Sequence, residues 1–151
     1  MTGSVGECQI ARMRLLGLDL GERTIGVALC DEGEMLATPL LTVRRQGGAR
    51  DQEAIGALLA EHEIGGVVLG LPLDLKGREG VAARRVRAFG ERLAQALGCR
   101  VWYWDERFST VQAERVLLDA GMRRARRKQV VDKVAAAVIL QSYLDARGGE
   151  P

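Results

Sequence analysis

The sequence predicts an α/β protein in which a five-stranded mixed sheet carries helices on both faces. Two features of the sequence lead to this class. The chain opens with three short apolar segments separated by turn residues, a spacing typical of neighbouring antiparallel strands. After them, short apolar segments alternate with stretches of helical periodicity, which is typical of parallel strands connected through helices.

The first three strands are predicted between Leu15 and Val43. Residues 15–20 and 25–30 are apolar and flank the turn residues 21–24, so they should form a β-hairpin. A second turn at residues 31–34 leads into a third strand, Met35–Val43. Because tight turns join these strands, each should pair antiparallel with the next.

The following elements alternate between helix and strand. Helices are predicted where apolar residues recur every three or four positions, and strands where short apolar runs separate those stretches. The predicted elements are the helix Asp51–His62, the strand Val67–Gly70, the helix Glu79–Leu97 and the strand Arg100–Trp104.

Two more helices complete the predicted chain. A capping box, with Ser109 as the N-cap and Gln112 at the third helical position, opens a helix that ends near Gly121. A basic loop at residues 123–128 then leads into a last helix, from Gln129 to about Ala146. The complete order is β-β-β-α-β-α-β-α-α, which is that of the ribonuclease H-like fold.

Length and composition favour one globular domain. The chain has 151 residues, of which 47% are hydrophobic and 28% charged, so collagen-like, disordered and membrane-spanning classes are excluded. We divide the chain into a flexible lead-in at residues 1–13, one ribonuclease H-like domain at residues 14–147 and a tail at residues 148–151. The first residues lack the pattern of a signal peptide, so we expect a cytoplasmic location and no membrane partner.

The basic residues are mostly arginines. Of 22 basic residues, only Lys76, Lys128 and Lys133 are lysines. An arginine side chain can bind a phosphate group through two parallel hydrogen bonds, which would suit a nucleic-acid partner. Coding from GC-rich DNA would produce the same bias, so the composition leaves both explanations open.

Three carboxylates occupy unusual positions in this pattern. Asp19 interrupts the apolar first strand, where a carboxylate is costly unless a cation or several donors meet it. Glu106 follows the last strand together with Asp105, and Asp132 begins an apolar stripe in the first turn of the last helix. Each has a structural alternative: Asp19 could cap amides of a turn, the Asp105–Glu106 doublet could be a solvated turn, and Asp132 could be stabilised by the helix dipole.

The predicted topology brings these carboxylates to one edge of the sheet. Sites in open α/β sheets form outside the carboxyl ends of the parallel strands, where the strand order reverses. Asp19 and Glu106 should meet there, and Asp132 could reach the same edge from the last helix. Adjacent carboxylates need neutralisation, and their hard oxygens favour Mg²⁺ or Mn²⁺. Two such ions could hold a phosphodiester in line for hydrolysis.

Four motifs in this order resemble the YqgF/RuvX family. They are LGLDLGERTIGVA at 16–28, VLGLPLD at 68–74, DERFSTVQAE at 105–114 and VDKVAAAVILQSYLD at 131–145. The resemblance implies a ribonuclease H-like fold and a divalent-metal nuclease, described as a Holliday junction resolvase and as a nuclease that processes the 5′ end of the small-subunit ribosomal RNA precursor. Matched by motif, Asp19, Glu106 and Asp132 correspond to the acidic triad of the family, its catalytic and metal-binding residues. After Pro72 the chain departs from the family pattern, since LDLKGR stands where LNMDGS or similar is expected.

Cations near the carboxylates are predicted to bind the phosphate backbone. Residues 123–128 carry five positive charges in six residues, which suits phosphate binding, although a solvated loop is the alternative. Arg23 and Arg107 each follow a strand-end acid, where they could pair with that acid or hold the scissile phosphate. The predicted nucleic-acid-binding residues are Arg23, Lys76, Arg78, Arg107, Arg123, Arg124, Arg126, Arg127 and Lys128.

The predicted function is therefore Mg²⁺- or Mn²⁺-dependent hydrolysis of phosphodiester bonds in branched DNA, precursor ribosomal RNA or both. A homodimer is expected if the substrate is a two-fold symmetric junction, because such a junction needs two active sites. One alternative is a non-catalytic RNA- or ribosome-associated binding factor with structural acids. A less favoured alternative is a nucleotide-binding module of the actin-like type, whose members combine two such domains.

Overall fold

Five strands form one mixed sheet. They are β1 (Arg14–Leu20), β2 (Thr24–Cys30), β3 (Ala37–Arg44), β4 (Ile64–Leu71) and β5 (Arg100–Asp105), and their order in the sheet is β3-β2-β1-β4-β5. The pairs β1–β2 and β2–β3 are antiparallel, whereas β1–β4 and β4–β5 are parallel. The predicted arrangement of three antiparallel strands followed by two parallel strands is confirmed.

Three helices of the described part of the chain cover the two faces of this sheet. In this computed structural model the described residues are 14–31, 33, 35–108 and 124–148, and only the backbone is described for residues 124–132 and 148. Helices α1 (Gly48–Glu61) and α2 (Val81–Leu97) pack on one face, while α3 (Arg124–Gly148) packs on the other. Within these ranges, none of the helices combines the length and the apolar character that a bilayer crossing requires.

The helix α3 lies unusually close to the centre of the sheet. Three consecutive alanines, at 135–137, face the sheet with almost no exposed surface. A methyl group placed on Gly17 in β1 would lie 2.7 Å from the Cβ atom of Leu140 and 2.9 Å from the carbonyl oxygen of Ala136. The absence of a side chain at Gly17 therefore lets α3 rest directly on β1, which fixes the helix beside the strand that carries Asp19.

The basic segment before the last helix was predicted wrongly as a loop. Helix α3 begins at Arg124, so residues 124–128 are helical. Arginine, alanine and lysine all favour helix, and neither glycine nor proline interrupts residues 124–146. Asp132 consequently lies more than two turns from the start of α3 rather than in its first turn, and stabilisation by the dipole of the first turn does not explain it.

Several other boundaries differ by a few residues. Strand β3 begins at Ala37 rather than Met35, α1 begins at Gly48 rather than Asp51, and α2 begins at Val81 because Glu79 still pairs with Leu73 in an isolated bridge. The lead-in at 1–13, the helix predicted from Ser109 to Gly121, Arg123 and residues 149–151 lie outside the described residues.

Candidate active site

Asp19 lies near the carboxyl end of β1 and is almost completely buried. Only 4% of the residue is exposed. Side chains alternate along a strand, so Asp19 shares the face of Leu15 and Gly17, both of which lie against α3. It belongs to the strand ladder, opposite Gly26 of β2, and precedes the turn at residues 21–23.

Glycines adjoin Asp19 on both neighbouring strands. Gly26 is opposite in β2, and Gly70 of β4 follows the register pair Leu18–Leu69. A methyl group on Gly70 would lie 2.9 Å from Oε1 of Glu106 and 2.5 Å from Cδ1 of Ile139. Only glycine at position 70 therefore leaves room for the Glu106 side chain above β4.

Glu106 reaches this face from the end of β5. It begins a short 3₁₀ turn, Glu106–Phe108, and it continues the α3-facing row of Trp102 and Trp104. Trp104 fixes the end of that row, because its indole Nε1 donates to Oγ of Ser142 in α3 at 2.8 Å. With Oε1 over Gly70, the Glu106 carboxylate lies one strand spacing, about 4.8 Å, from the strand of Asp19.

Asp19 and Glu106 therefore share one face at the carboxyl ends of β1, β4 and β5, hereafter the active edge. The backbone of Asp132 lies in the turn of α3 that precedes the contact of Ala136 and Leu140 with Gly17. The Asp132 side chain lies outside the described residues, and the described side chains alone contain no cluster of three His, Cys, Asp or Glu groups.

The other acid of the doublet, Asp105, faces away from Glu106. Its carboxylate accepts hydrogen bonds from Arg107, at 2.9 Å from Nε and 2.6 Å from Nη2. This guanidinium is the main reason that the pKa of Asp105 lies below its usual value. Arg107 also donates to the carbonyl oxygen of Leu75 at 3.3 Å, so of the two interpretations given for Arg107, pairing with an acid describes the structure.

Lys76 and Arg78 lie on the exposed connection from β4 to α2. Asp74 orders this connection, because its carboxylate accepts the backbone N–H groups of Lys76 (2.9 Å) and Arg78 (2.8 Å) and Nε of Arg78 (3.0 Å). These bonds, the one from the Arg78 backbone first, lower the pKa of Asp74. The guanidinium of Arg78 is thus engaged while its side chain stays 70% exposed.

A buried carboxylate on the opposite side of the edge was missed by the sequence analysis. Asp51, in the first turn of α1, is 1% exposed. It accepts the backbone N–H groups of Gln46 (2.8 Å) and Gly47 (3.3 Å) and Nε of Arg45 (3.3 Å). Arg45 Nη1 donates in turn to the carbonyl oxygen of Gly21 at 3.0 Å, which connects Asp51 to the turn after Asp19. An acid in a first helical turn is common on surfaces, so the sequence carried no clear signal of this burial.

The structure describes the other predicted basic residues to different extents. Arg23 is exposed in the turn after β1. The backbone of residues 124–128 forms the start of α3, while their side chains and the whole of Arg123 lie outside the description.

Comparisons with known proteins agree with this architecture. The family model described as "RuvX: Holliday junction resolvase" matches residues 13–146. A protein of Myxococcus xanthus named "Putative pre-16S rRNA nuclease" is 52% identical over 134 residues, which cover 89% of each chain. A protein of Symbiobacterium thermophilum with the same name is 49% identical over 139 residues, covering 92% of this chain and 96% of the relative.

Solved structures show the same fold at low sequence identity. The chain is similar to T. thermophilus RuvC in complex with a Holliday junction substrate, with a TM-score of 0.57, 17% identity and coverage of 91% of this chain and 96% of that one. It is also similar to the fowlpox virus Holliday junction resolvase, with a TM-score of 0.52, 12% identity and coverage of 89% and 99%. The ribonuclease H-like fold is confirmed, and the family and its named relatives support the predicted nuclease function. Since the family model spans nearly the whole sequence, the chain belongs to the RuvX family.

Proposed function

We propose that this protein hydrolyses phosphodiester bonds of structured nucleic acid, with Mg²⁺ or Mn²⁺ held by Asp19, Glu106 and Asp132. The observation that carries the proposal is the placement of Asp19 and Glu106 on one face of the active edge. Strand β4 lies between their strands, and it has Gly70 at this position. The substrate class is branched DNA or the precursor of the small-subunit ribosomal RNA, as the names of the family and of its relatives suggest.

The residues present suit a hard divalent cation. Asp19 is buried in an apolar strand, and a second carboxylate lies one strand away. Two such groups repel each other when both are ionised, so a cation between them would offset both their repulsion and their desolvation. Carboxylate oxygens are the ligands that Mg²⁺ and Mn²⁺ prefer, and Asp132, one helical turn before Ala136 in α3, is the proposed third ligand.

Ions bound there would activate the attacking water and stabilise the leaving oxygen of the phosphodiester. The chain itself would position the substrate. Gly70 leaves room above β4 for the Glu106 side chain, so the Glu106 carboxylate lies on the same face as Asp19. The hydrogen bond from the Trp104 indole to Ser142 of α3 fixes the end of β5. Glu106 is the residue that follows this strand.

Cations at the same edge would hold the nucleic-acid backbone. In this proposal the start of α3 presents the densest group, and exposed loops contribute the others. The proposed phosphate-binding residues are Arg23, Lys76, Arg78, Arg123, Arg124, Arg126, Arg127 and Lys128. Arg107 instead positions the connection that carries Lys76, because its guanidinium binds Asp105 and Leu75. A cytoplasmic location and a homodimer on junction substrates stay part of the proposal.

Cleavage assays on matched variants test the chemistry. The substrates are a labelled four-way DNA junction and an RNA with the precursor 5′ extension, each with Mg²⁺, with Mn²⁺ and with EDTA. Asp19→Asn, Glu106→Gln and Asp132→Asn should each lose at least the roughly 10–100-fold in activity that outer-shell metal partners cost. Asp145→Asn is the matched control, because Asp145 is exposed on the same helix as Asp132 and its carboxylate accepts a hydrogen bond from Gln141, one helical turn away.

Metal binding is measured separately from activity. Calorimetric titration with Mn²⁺ should show weaker binding in Asp19→Asn than in the Asp145→Asn control. Full cleavage by Asp19→Asn would make this carboxylate structural. Tight nucleic-acid binding without metal-dependent cleavage of either substrate would favour the non-catalytic binding factor.

A further inference from the structure

We propose that Arg23 and Arg44 form a phosphate-binding subsite on the β3 side of the active edge, and that Arg45 and Asp51 position it. The ligand is a backbone phosphate of the substrate, at a distance from the cleaved bond. The proposal rests on the proposed function for its substrate, but it concerns residues 44, 45 and 51, which lie outside the four family motifs.

Arg44 faces the same side of the sheet as Asp19. It ends β3 opposite Thr24, and the neighbouring pair is Val43 with Ile25. Val43 packs into the core beneath α1 and α2, so the alternate residue Arg44 faces the α3 side. Thr42, Gly26 and Asp19 form a row across β3, β2 and β1. Arg44 therefore lies about 10 Å across the sheet and about 7 Å along the strand from Asp19.

Arg23 lies at the end of the adjacent strand, in the turn that follows Asp19. The carbonyl oxygen of Arg23 accepts the backbone N–H of Arg45 at 2.8 Å, so the turn is bonded to the end of β3. The side chains of Arg23 and Arg44 are exposed. Among the described side chains, neither forms an ion pair within 4.0 Å, whereas Arg45, Arg78, Arg87 and Arg107 all do.

A buried group holds these two arginines in place. Asp51 fixes Arg45 and the backbone of residues 46 and 47, and Arg45 bonds to Gly21. Arg45 also lies over the ring of Phe89, 5.7 Å from its centroid. This brace, defined as Arg45 and Asp51, connects α1, the end of β3 and the turn after β1, so the backbone beneath Arg23 and Arg44 is fixed before substrate arrives.

Phosphate is the ligand that this arrangement suits. Arginine binds phosphate with paired hydrogen bonds, and a strand crossing Asp19 would also meet the connection after β4, which carries Lys76 and Arg78 on the other side of β1. Phosphates on one strand of a duplex are about 3.4 Å apart along the axis, so a displacement of roughly 12 Å from Asp19 along that axis corresponds to about three to four nucleotides. The subsite would hold the backbone on one side of the cut, and the connection that carries Lys76 and Arg78 would hold it on the other.

Binding at several salt concentrations tests the subsite without any cleavage. The full chain is titrated into a labelled four-way junction in EDTA, and the slope of log affinity against log salt is measured. Arg23→Ala/Arg44→Ala should flatten that slope by about 1–2, since each phosphate contact contributes ~0.9 on duplex. Over a fourfold rise in salt, the wild type should then lose about 12-fold more affinity than the double variant.

The control removes the same charge from the opposite edge. Arg100 is the exposed first residue of β5, and Arg92 is exposed in the second half of α2. Arg92→Ala/Arg100→Ala should retain the wild-type slope. Equal slopes for the wild type and Arg23→Ala/Arg44→Ala would overturn the subsite. Because cleavage plays no part here, a protein without nuclease activity would still show the slope change, so the two proposals fail separately.

For Asp51→Asn, the positioning role of the brace and the change in net charge predict opposite effects on nucleic-acid binding. Asp51→Asn removes a negative charge, which by itself should tighten nucleic-acid binding. If Asp51 positions Arg23 and Arg44, the variant should bind the junction several-fold more weakly, with a fold that circular dichroism shows to be intact. Binding as tight as or tighter than wild type would exclude the positioning role. If Asp51→Asn does not fold, Arg45→Lys keeps the charge of residue 45 and should weaken binding for the same reason.

Discussion

The loop after β3 and the β4–α2 connection flank the active edge and are held by the same pattern of hydrogen bonds. The central carboxylate is buried in the first and exposed in the second. Asp51 accepts two backbone N–H groups and the Nε of Arg45. Asp74 likewise accepts two backbone N–H groups and the Nε of Arg78. The Asp51 side chain is 2% exposed and that of Asp74 is 46% exposed.

This difference in burial decides what each carboxylate contributes. An exposed ion pair is screened by water and loses side-chain entropy, so its net effect on stability is small. Removing one partner of a buried pair leaves the other charge and its bonded amides without compensation, which is strongly destabilising. We therefore expect the loop after β3 (residues 45–47) to open only when the whole protein unfolds. The β4–α2 connection should open locally.

The largest expected effect is that of Asp51→Ala. It should lower the free energy of unfolding by about 2–4 kcal/mol, because Arg45 and the amides of residues 46 and 47 lose their acceptor in a buried place. Urea denaturation followed by circular dichroism measures the loss. A change below about 1 kcal/mol would show that water replaces the carboxylate at little cost.

A local effect is expected from Arg107→Ala. Arg107 holds the β4–α2 connection through Leu75 and packs beside Gly77, whose N–H bonds to the carbonyl oxygen of Asp74 at 2.9 Å. Hydrogen exchange of the Gly77 and Arg78 amides should become several-fold faster while core amides keep their rates, since local opening costs less than global unfolding. Equal acceleration throughout the sheet would contradict a separately opening connection.

The same variant should shift the titration of Asp105. The hydrogen bond from Arg107 is the main cause that holds the pKa of Asp105 below its ordinary value of 3.8, whereas burial raises it. The stabilisation by this pair is therefore present above pH 3.8 and is lost as the pH falls through the lower folded-state value. In Arg107→Ala the pKa of Asp105 should rise, as measured by an NMR titration of the carboxyl carbon, and an unchanged titration would exclude the pair as its cause.

The smallest effect is expected from Asp74→Asn. Asp74 and Arg78 are both largely exposed, so the urea midpoint should match that of the wild type within error. The urea midpoint of this variant is compared with that of Asp51→Asn, which makes the same chemical change at a buried position. Similar losses in both variants would show that burial does not distinguish the loops.

The periodicity of the sequence was sufficient to predict the sheet, the order of its strands and the coverage of both faces. The connections between the apolar segments leave few possible sheet arrangements, because tight turns require antiparallel pairing and helical connections favour parallel pairing. Boundaries were less certain, as at Arg124, where a basic segment has high helix propensity but no apolar period. A continuous run of charged residues is compatible with both a loop and a helix.

For the site, the sequence by itself determined which carboxylates are unusual and, through strand order, that Asp19 and Glu106 end on one edge. Only the tertiary structure decided that Asp105 and Glu106 face opposite sides, that Gly70 leaves room for the Glu106 side chain, and that Asp51 is buried while Asp74 is exposed. The burial of Asp51 and the space above Gly70 depend on residues far apart in the chain, as in the contacts of Arg45 with Gly21 and of Gly70 with Glu106. The cost of placing a charge depends on the water and partners around it, which the tertiary fold supplies and local sequence does not specify.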